Sequence, residues 1–196
     1  MNAYFNTNHV AALLFLLTIS AWGMMELSQR SQPRRQGATT TARVGGRLVA
    51  LACLIATTVV VNLTPRVFPA AAIRPGAIAF AAGMVVLLAG LVLRGWSFKA
   101  LGQYFTHTVM VSADQPVIAS GPYRVLRHPS YAGIILAAIG IGLASANWAD
   151  LAGLLVLTLT ALLWRIRIEE AALMTTLGDR YRAYAAQHKR LVPLVW

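Results

Sequence analysis

Acidic charge is nearly missing from this chain. Only 6 of its 196 residues are Asp or Glu, and charged residues of both signs make up 12%. A soluble domain carries about 25%, so the charge is too sparse to cover a solvated surface. There is one cysteine, Cys53, inside an apolar run. That excludes an internal disulfide and a cysteine-based metal centre, and Cys53 reads as a small buried hydrophobe. His9, His107 and His188 are scattered and do not form a metal-ligand pattern. No internal repeat is evident, and the GxG string in IGIGLASA has no preceding strand, which excludes a dinucleotide-binding loop.

Hydrophobic residues make up 58% of the chain, and they come in blocks. A helix needs about 20 apolar residues to cross the hydrocarbon core. Five segments approach that length: His9 to Leu27, Gly46 to Leu63, Pro75 to Leu93, Tyr131 to Trp148, and Leu151 to Ile166. Asn147 to Asp150 leaves room only for a tight turn, so the last two segments form a helical hairpin. The first segment is not a signal peptide, because MNAYFNTN carries no basic residue and five arginines follow. These features predict an all-α, polytopic integral membrane protein with about five transmembrane helices and an outside N-terminus.

The net charge of +11 tests that topology. Arg30, Arg34, Arg35, Arg43, Arg47, Arg94, Lys99, Arg124, Arg127, Arg165, Arg167, Arg180, Arg182, Lys189 and Arg190 fall on or beside the inside segments. Only Arg66 and Arg74 fall outside. The positive-inside rule produces this bias, so the basic balance needs no nucleic acid, and no base-reading motif supports one. Gln29 to Thr41 reads as a loop, and Trp96, Trp148 and Trp196 read as interfacial belt residues. The chain is expected to form a single membrane domain: residues 1–94 hold three helices, and residues 95–196 hold a re-entrant polar motif, the hairpin and a C-terminal helix.

Two polar clusters interrupt the apolar pattern. GPYRVLRHPSYAG, Gly121 to Gly133, stands at the mouth of the fourth segment. A residue before proline avoids helical angles, so Pro129 opens that helix, where its missing N–H costs nothing. Free backbone N–H groups there would suit an anion. The second cluster, WRIRIEEAALMTTLGDRYRAY, follows the fifth segment. Arg165 and Glu169 are four apart and share a helix face, with Arg167 and Glu170 beside them. The hairpin brings both clusters to one membrane face, where ionisable groups are functional candidates. The alternatives are an interfacial anchor for the first cluster and a helix-end salt bridge for the second.

The combination GPYRxxRHPSYxG … RxxxEExxL…G…Y resembles the isoprenylcysteine carboxyl methyltransferase family over residues 94–196. Phospholipid methyltransferases share much of it, and sterol reductases share a relative of it. The resemblance implies methyl transfer from S-adenosyl-L-methionine to a carboxylate on a lipid-modified cysteine, with a cytosol-facing cofactor pocket built by the C-terminal half. It assigns cofactor contacts to Gln115, Pro116, Val117, Ile118, Tyr123, His128, Pro129, Ser130, Tyr131 and Glu169. Arg165 matches an arginine on the substrate side and is the catalytic candidate. Gln115 stands where many members have His, and Thr108 to Val111 lacks the Gln that members often carry just upstream.

These residue types suit the chemistry. A carboxylate is already ionised at neutral pH, so methyl transfer to it needs alignment rather than a base. A guanidinium grips a carboxylate through two parallel bonds. The implied partners are membrane lipids and a lipophilic substrate entering from the bilayer, with no metal and no nucleic acid. Arginine-rich, alanine-rich usage points to a prokaryotic inner membrane, with the site facing the cytoplasm. Three other readings stay open: a phospholipid or amine N-methyltransferase, a sterol-type reductase, and a non-catalytic membrane adaptor.

Overall fold

The computed structural model describes residues 4–29, 39–42, 46–105 and 109–192, with the side chains of 29, 39–42, 46–56 and 109–110 left aside. Arg30, Arg34, Arg35, Arg43, His107, Thr108 and Trp196 lie outside the described residues, as do the side chains of Arg47 and Cys53. Among the described residues six α-helices follow in order: α1 His9–Gln29, α2 Gly46–Val67, α3 Gly76–Leu101, α4 Pro129–Ala144, α5 Trp148–Leu177 and α6 Asp179–Gln187. Three spans among the described residues, His9–Ser28, Gly76–Tyr104 and Trp148–Leu177, are long and apolar enough to cross a membrane, and α4 is a shorter apolar helix. Val10, Leu16, Val85, Val92 and Val156 are exposed, as lipid-facing side chains would be.

All five expected hydrophobic helices are present, but their ends differ from the apolar runs. α3 continues through Arg94 and Lys99 to Leu101, and α5 continues through Arg165 and Glu170 to Leu177. Each stops at a glycine with positive φ, Gly102 at 52° and Gly178 at 56°. Backbone conformation, rather than hydrophobicity, therefore sets these boundaries. The expected turn at Asn147 to Asp150 is instead the start of α5: Asn147 caps it, its side chain accepting from the Ala149 N–H at 2.9 Å. One feature was not expected. A two-stranded antiparallel pair joins β1, Thr39–Ala42, to β2, Val109–Val111.

α3 and α4 pack with their backbones nearly touching. A Cβ on Gly90 would lie 2.6 Å from the Gly133 carbonyl, and one on Gly83 would lie 2.6 Å from that of Gly140. Leu87, fully buried, fills the space between these contacts. Gly142 meets α5 in the same way, since a Cβ there would fall 2.5 Å from Leu151 Cα. Small residues thus serve helix contact, as expected for the IGIGLASA stretch.

The two ends of the bundle have different characters. At one end, the Tyr4 N–H donates to Ser145 O (3.3 Å), the Ile73 N–H to Ala146 O (2.7 Å), and Asn147 Nδ2 to Phe68 O (3.2 Å). Asp150 is buried there, with the Ser145 and Thr64 hydroxyls as its polar neighbours. The other end gathers Glu26, Arg94, the Gly121–Gly133 motif and the polar half of α5.

Candidate active site

The motif begins as a 3₁₀ turn, Gly121–Arg124, and runs into α4 at Pro129. As expected, Pro129 is the first helical residue and His128 the cap. The free N–H groups expected there are partly used: Tyr131 and Ala132 donate to the His128 carbonyl at 3.0 and 3.1 Å. His128 and Tyr123 are not loose interfacial side chains. Only 4% of His128 and 7% of Tyr123 is exposed. Burial, reinforced by the Glu169 carboxylate, raises the Tyr123 phenol well above its ordinary value, so it stays protonated.

Tyr131 joins the two sequence clusters. Its hydroxyl donates to Glu169 Oε2 and accepts from Arg165 Nε at 2.7 Å. Arg165 and Glu169 do share one face of α5, and the tyrosine from α4 stands between them. The Tyr131 ring stacks on His128, with centroids 5.4 Å apart and planes 11° from parallel. Glu169 is half-buried, and its Oε1 has no hydrogen-bond partner among the described residues.

Glu170 does not pair with Arg167, its sequence neighbour on the helix. It is 5% exposed, and its Oε1 takes Arg127 at 2.7 Å and His128 Nε2 at 3.2 Å. Its Oε2 takes Arg190 at 3.0 Å. Sequence reasoning missed Arg127 and Arg190 as members of this cluster, because they looked like topology-setting charges. Arg94 is a similar case. Counted as an inside charge, it is 7% exposed and paired with Glu26 of α1. Its NH1 donates to Ser130 Oγ at 2.7 Å, so the Ser130 hydroxyl is engaged by α3. Trp22 Nε1 donates to the same Glu26 at 2.9 Å. The one available signal was rarity: Glu26 is the only acidic residue before Asp114, and an acid in an apolar helix needs a partner.

The remaining candidates lie on the loop between β2 and the motif. Gln115 is half-buried and its N–H donates to Ser112 O at 3.0 Å. No hydrogen bond joins its side chain to the Tyr131 cluster among the described residues. Pro116 is exposed and Ile118 is half-buried. Val117 packs against Val111, Ala172, Leu177 and Tyr181, which ties the loop to α5 and α6. The structure therefore joins His128, Tyr131, Arg165 and Glu169 in one contact network, with Tyr123 in electrostatic range of Glu169 and Tyr131, while the loop of Gln115 to Ile118 is tied to α5 and α6 through Val117.

The chain is similar to known proteins over the segment that carries this arrangement. Residues 81–175 match the model of the isoprenylcysteine carboxyl methyltransferase family. The chain is similar to protein-S-isoprenylcysteine O-methyltransferase A of Arabidopsis thaliana, with 27% identity over 115 residues, 58% of each protein. It is 31% identical over 116 residues to the Schizosaccharomyces pombe protein-S-isoprenylcysteine O-methyltransferase, covering 56% of this chain and 47% of that one. The chain thus spans only about half the length of such relatives. A solved structure of the eukaryotic intramembrane Ras methyltransferase, isoprenylcysteine carboxyl methyltransferase, superimposes with a TM-score of 0.60 at 25% identity, over 76% of this chain and 52% of that one. The segment that carries the site, residues 81–175, is therefore the part of the chain that is similar to isoprenylcysteine carboxyl methyltransferases.

Proposed function

We propose that this chain is an S-adenosyl-L-methionine-dependent methyltransferase that O-methylates the carboxylate of a lipophilic, isoprenylcysteine-like substrate at the membrane surface. The observation that carries this reading is the Tyr131 hydroxyl, which links Arg165 to Glu169 and so sets a cation and an acid side by side.

The donor set fits the cofactor. Glu169 Oε1, lacking a partner among the described residues, suits a cationic or hydroxylated group. Arg127 Nε is buried without a partner and offers a donor for an anionic one. Tyr123, His128, Pro129, Ser130 and Tyr131 would shape the cofactor side, and Gln115 to Ile118 would close over it. When bound, the cofactor supplies an electrophilic methyl group. Arg165 would hold the substrate carboxylate, already ionised at neutral pH, so alignment is the main task of the protein. An amine acceptor would need a base. His128 is poorly placed for that task, because its ring is only 4% exposed and so is shielded from an acceptor arriving from the bilayer. This supports O-methylation over N-methylation.

On this reading residues 1–94 are a lipid-embedded support and residues 95–196 are the catalytic half. The enzyme sits in a prokaryotic inner membrane with its polar end in the cytoplasm, and substrate enters from the bilayer. Calorimetry of the detergent-solubilised protein with S-adenosylhomocysteine and with NADPH tests the reading. Binding of the first and not the second is expected, and the reverse would make the chain a reductase. Transfer of labelled methyl groups to a lipid extract then identifies the acceptor.

A further inference from the structure

The C-terminal segment folds back onto the motif at several points. The Tyr184 hydroxyl donates to the carbonyls of Tyr123 (2.8 Å) and Leu126 (3.2 Å). The Arg127 N–H donates to Lys189 O at 2.7 Å, and the His128 N–H to Arg190 O at 3.0 Å. Burial pushes the Tyr184 phenol up to about 12, so it remains a donor throughout the physiological range. These bonds act on main-chain atoms of the motif and hold its shape without touching its side chains. Glu170 adds side-chain control, taking Arg127 and His128 on one oxygen and Arg190 on the other.

A carboxylate offers about four lone-pair positions. Glu170 has four donor nitrogens within 3.2 Å, from Arg127, His128 and twice from Arg190. It has no capacity left for a ligand. The adjacent Glu169 has only the Tyr131 hydroxyl as a partner among the described residues. Two neighbouring acids on one helix therefore have separate tasks. We propose that Glu170 is a positioning residue. It fastens residues 184–190 to the motif, and it fixes His128 as the Nε2–H tautomer, leaving Nδ1 as the ring's other polar atom. The carboxylate dictates this tautomer, since it can only accept.

The proposal rests on the site being a cofactor site, but its central measurement does not. Nitrogen-15 NMR of the histidine rings, with His128 identified by the loss of its signal in His128→Asn, reads the tautomer in the protein without ligand. The expected result is a proton on Nε2 in the parent and a shifted ring signature in Glu170→Gln. A neutral ring protonated on Nδ1 in the parent would overturn the proposal. Calorimetry with S-adenosylhomocysteine adds a second test. Arg190→Gln should weaken binding about tenfold, the scale of one lost charged hydrogen bond, and Arg190→Lys should recover most of it. If Arg190→Gln lowers the melting temperature but binds like the parent at a temperature where both are folded, the clasp is only structural and the proposal fails. If the parent binds no S-adenosylhomocysteine, the proposed function fails while the NMR measurement still decides the tautomer.

Discussion

The Tyr131 hydroxyl donates to the Glu169 carboxylate across the contact between α4 and α5, and it takes Arg165 as its own donor. One phenol therefore couples the residue matched to the substrate with the residue matched to the cofactor. Arg165→Lys and Glu169→Gln should each reduce turnover, and their combination should be non-additive by about 0.5–3 kcal/mol, the range for residues in one network. In a Tyr131→Phe background that coupling should largely vanish. A double-mutant cycle on kcat/KM, run in both backgrounds, measures it. Unchanged coupling in the Phe background would show direct communication between the two charges.

The buried pair of Arg94 and Glu26 is the main polar tie from α1 to the site. Arg94→Met removes the cation from Glu26, which keeps its Trp22 donor, and should cost about 1.5–3 kcal/mol, the scale of a lost charged hydrogen bond. Adding Glu26→Met should return much of that. Because Arg94 also donates to Ser130, the single variant should weaken S-adenosylhomocysteine binding as well. Thermal melts and calorimetry on the single and double variants separate the two effects.

Asp150 makes the opposite case. It is fully buried with no cation beside it, so its charge carries a desolvation cost that the neighbouring Ser145 and Thr64 hydroxyls offset only in part. Asp150→Asn should raise the melting temperature and leave methyl transfer unchanged, since the residue sits at the far end of α5. A lowered melting temperature would mean that the carboxylate is needed where it stands.

Topology is open to direct measurement. Reporter fusions at Gln115 and after Trp196 should signal the cytoplasm, and one near Arg66 the opposite side. A non-cytoplasmic signal at Gln115 would remove the site from a water-soluble cytosolic cofactor.

Much of this was legible in the sequence for local reasons. Pro129 announces the start of α4, and the four-residue spacing of Arg165 and Glu169 puts them on one face whatever else the helix does. The apolar runs located the helix centres. The helix ends were misplaced because a polar helix is still a helix: Gly102 and Gly178 end α3 and α5, and both were visible as glycines after polar turns. The roles of Glu170 and Arg94 were not legible. Their partners are 20 to 68 residues away in the chain, and nothing local distinguishes a buried arginine from one that marks the cytoplasmic side.

The glycine contacts between α3 and α4 carry a consequence for how such a chain can change. Gly140 cannot accept even a methyl group, since a Cβ there would lie 2.7 Å from the Gly83 carbonyl. Gly140→Ala should destabilise the protein by about 1–3 kcal/mol and loosen cofactor binding, although it lies three turns of helix from His128. A melt and a calorimetric titration check both. The two helices behave as one beam, with Arg94 and the motif mounted at the same end. α1 and α2 are less tightly bound to that beam. If the proposed function holds, the lipid-facing helices are free to change with the acceptor while the beam keeps Arg94 and residues 121–133 in place, so one scaffold could serve several lipid acids.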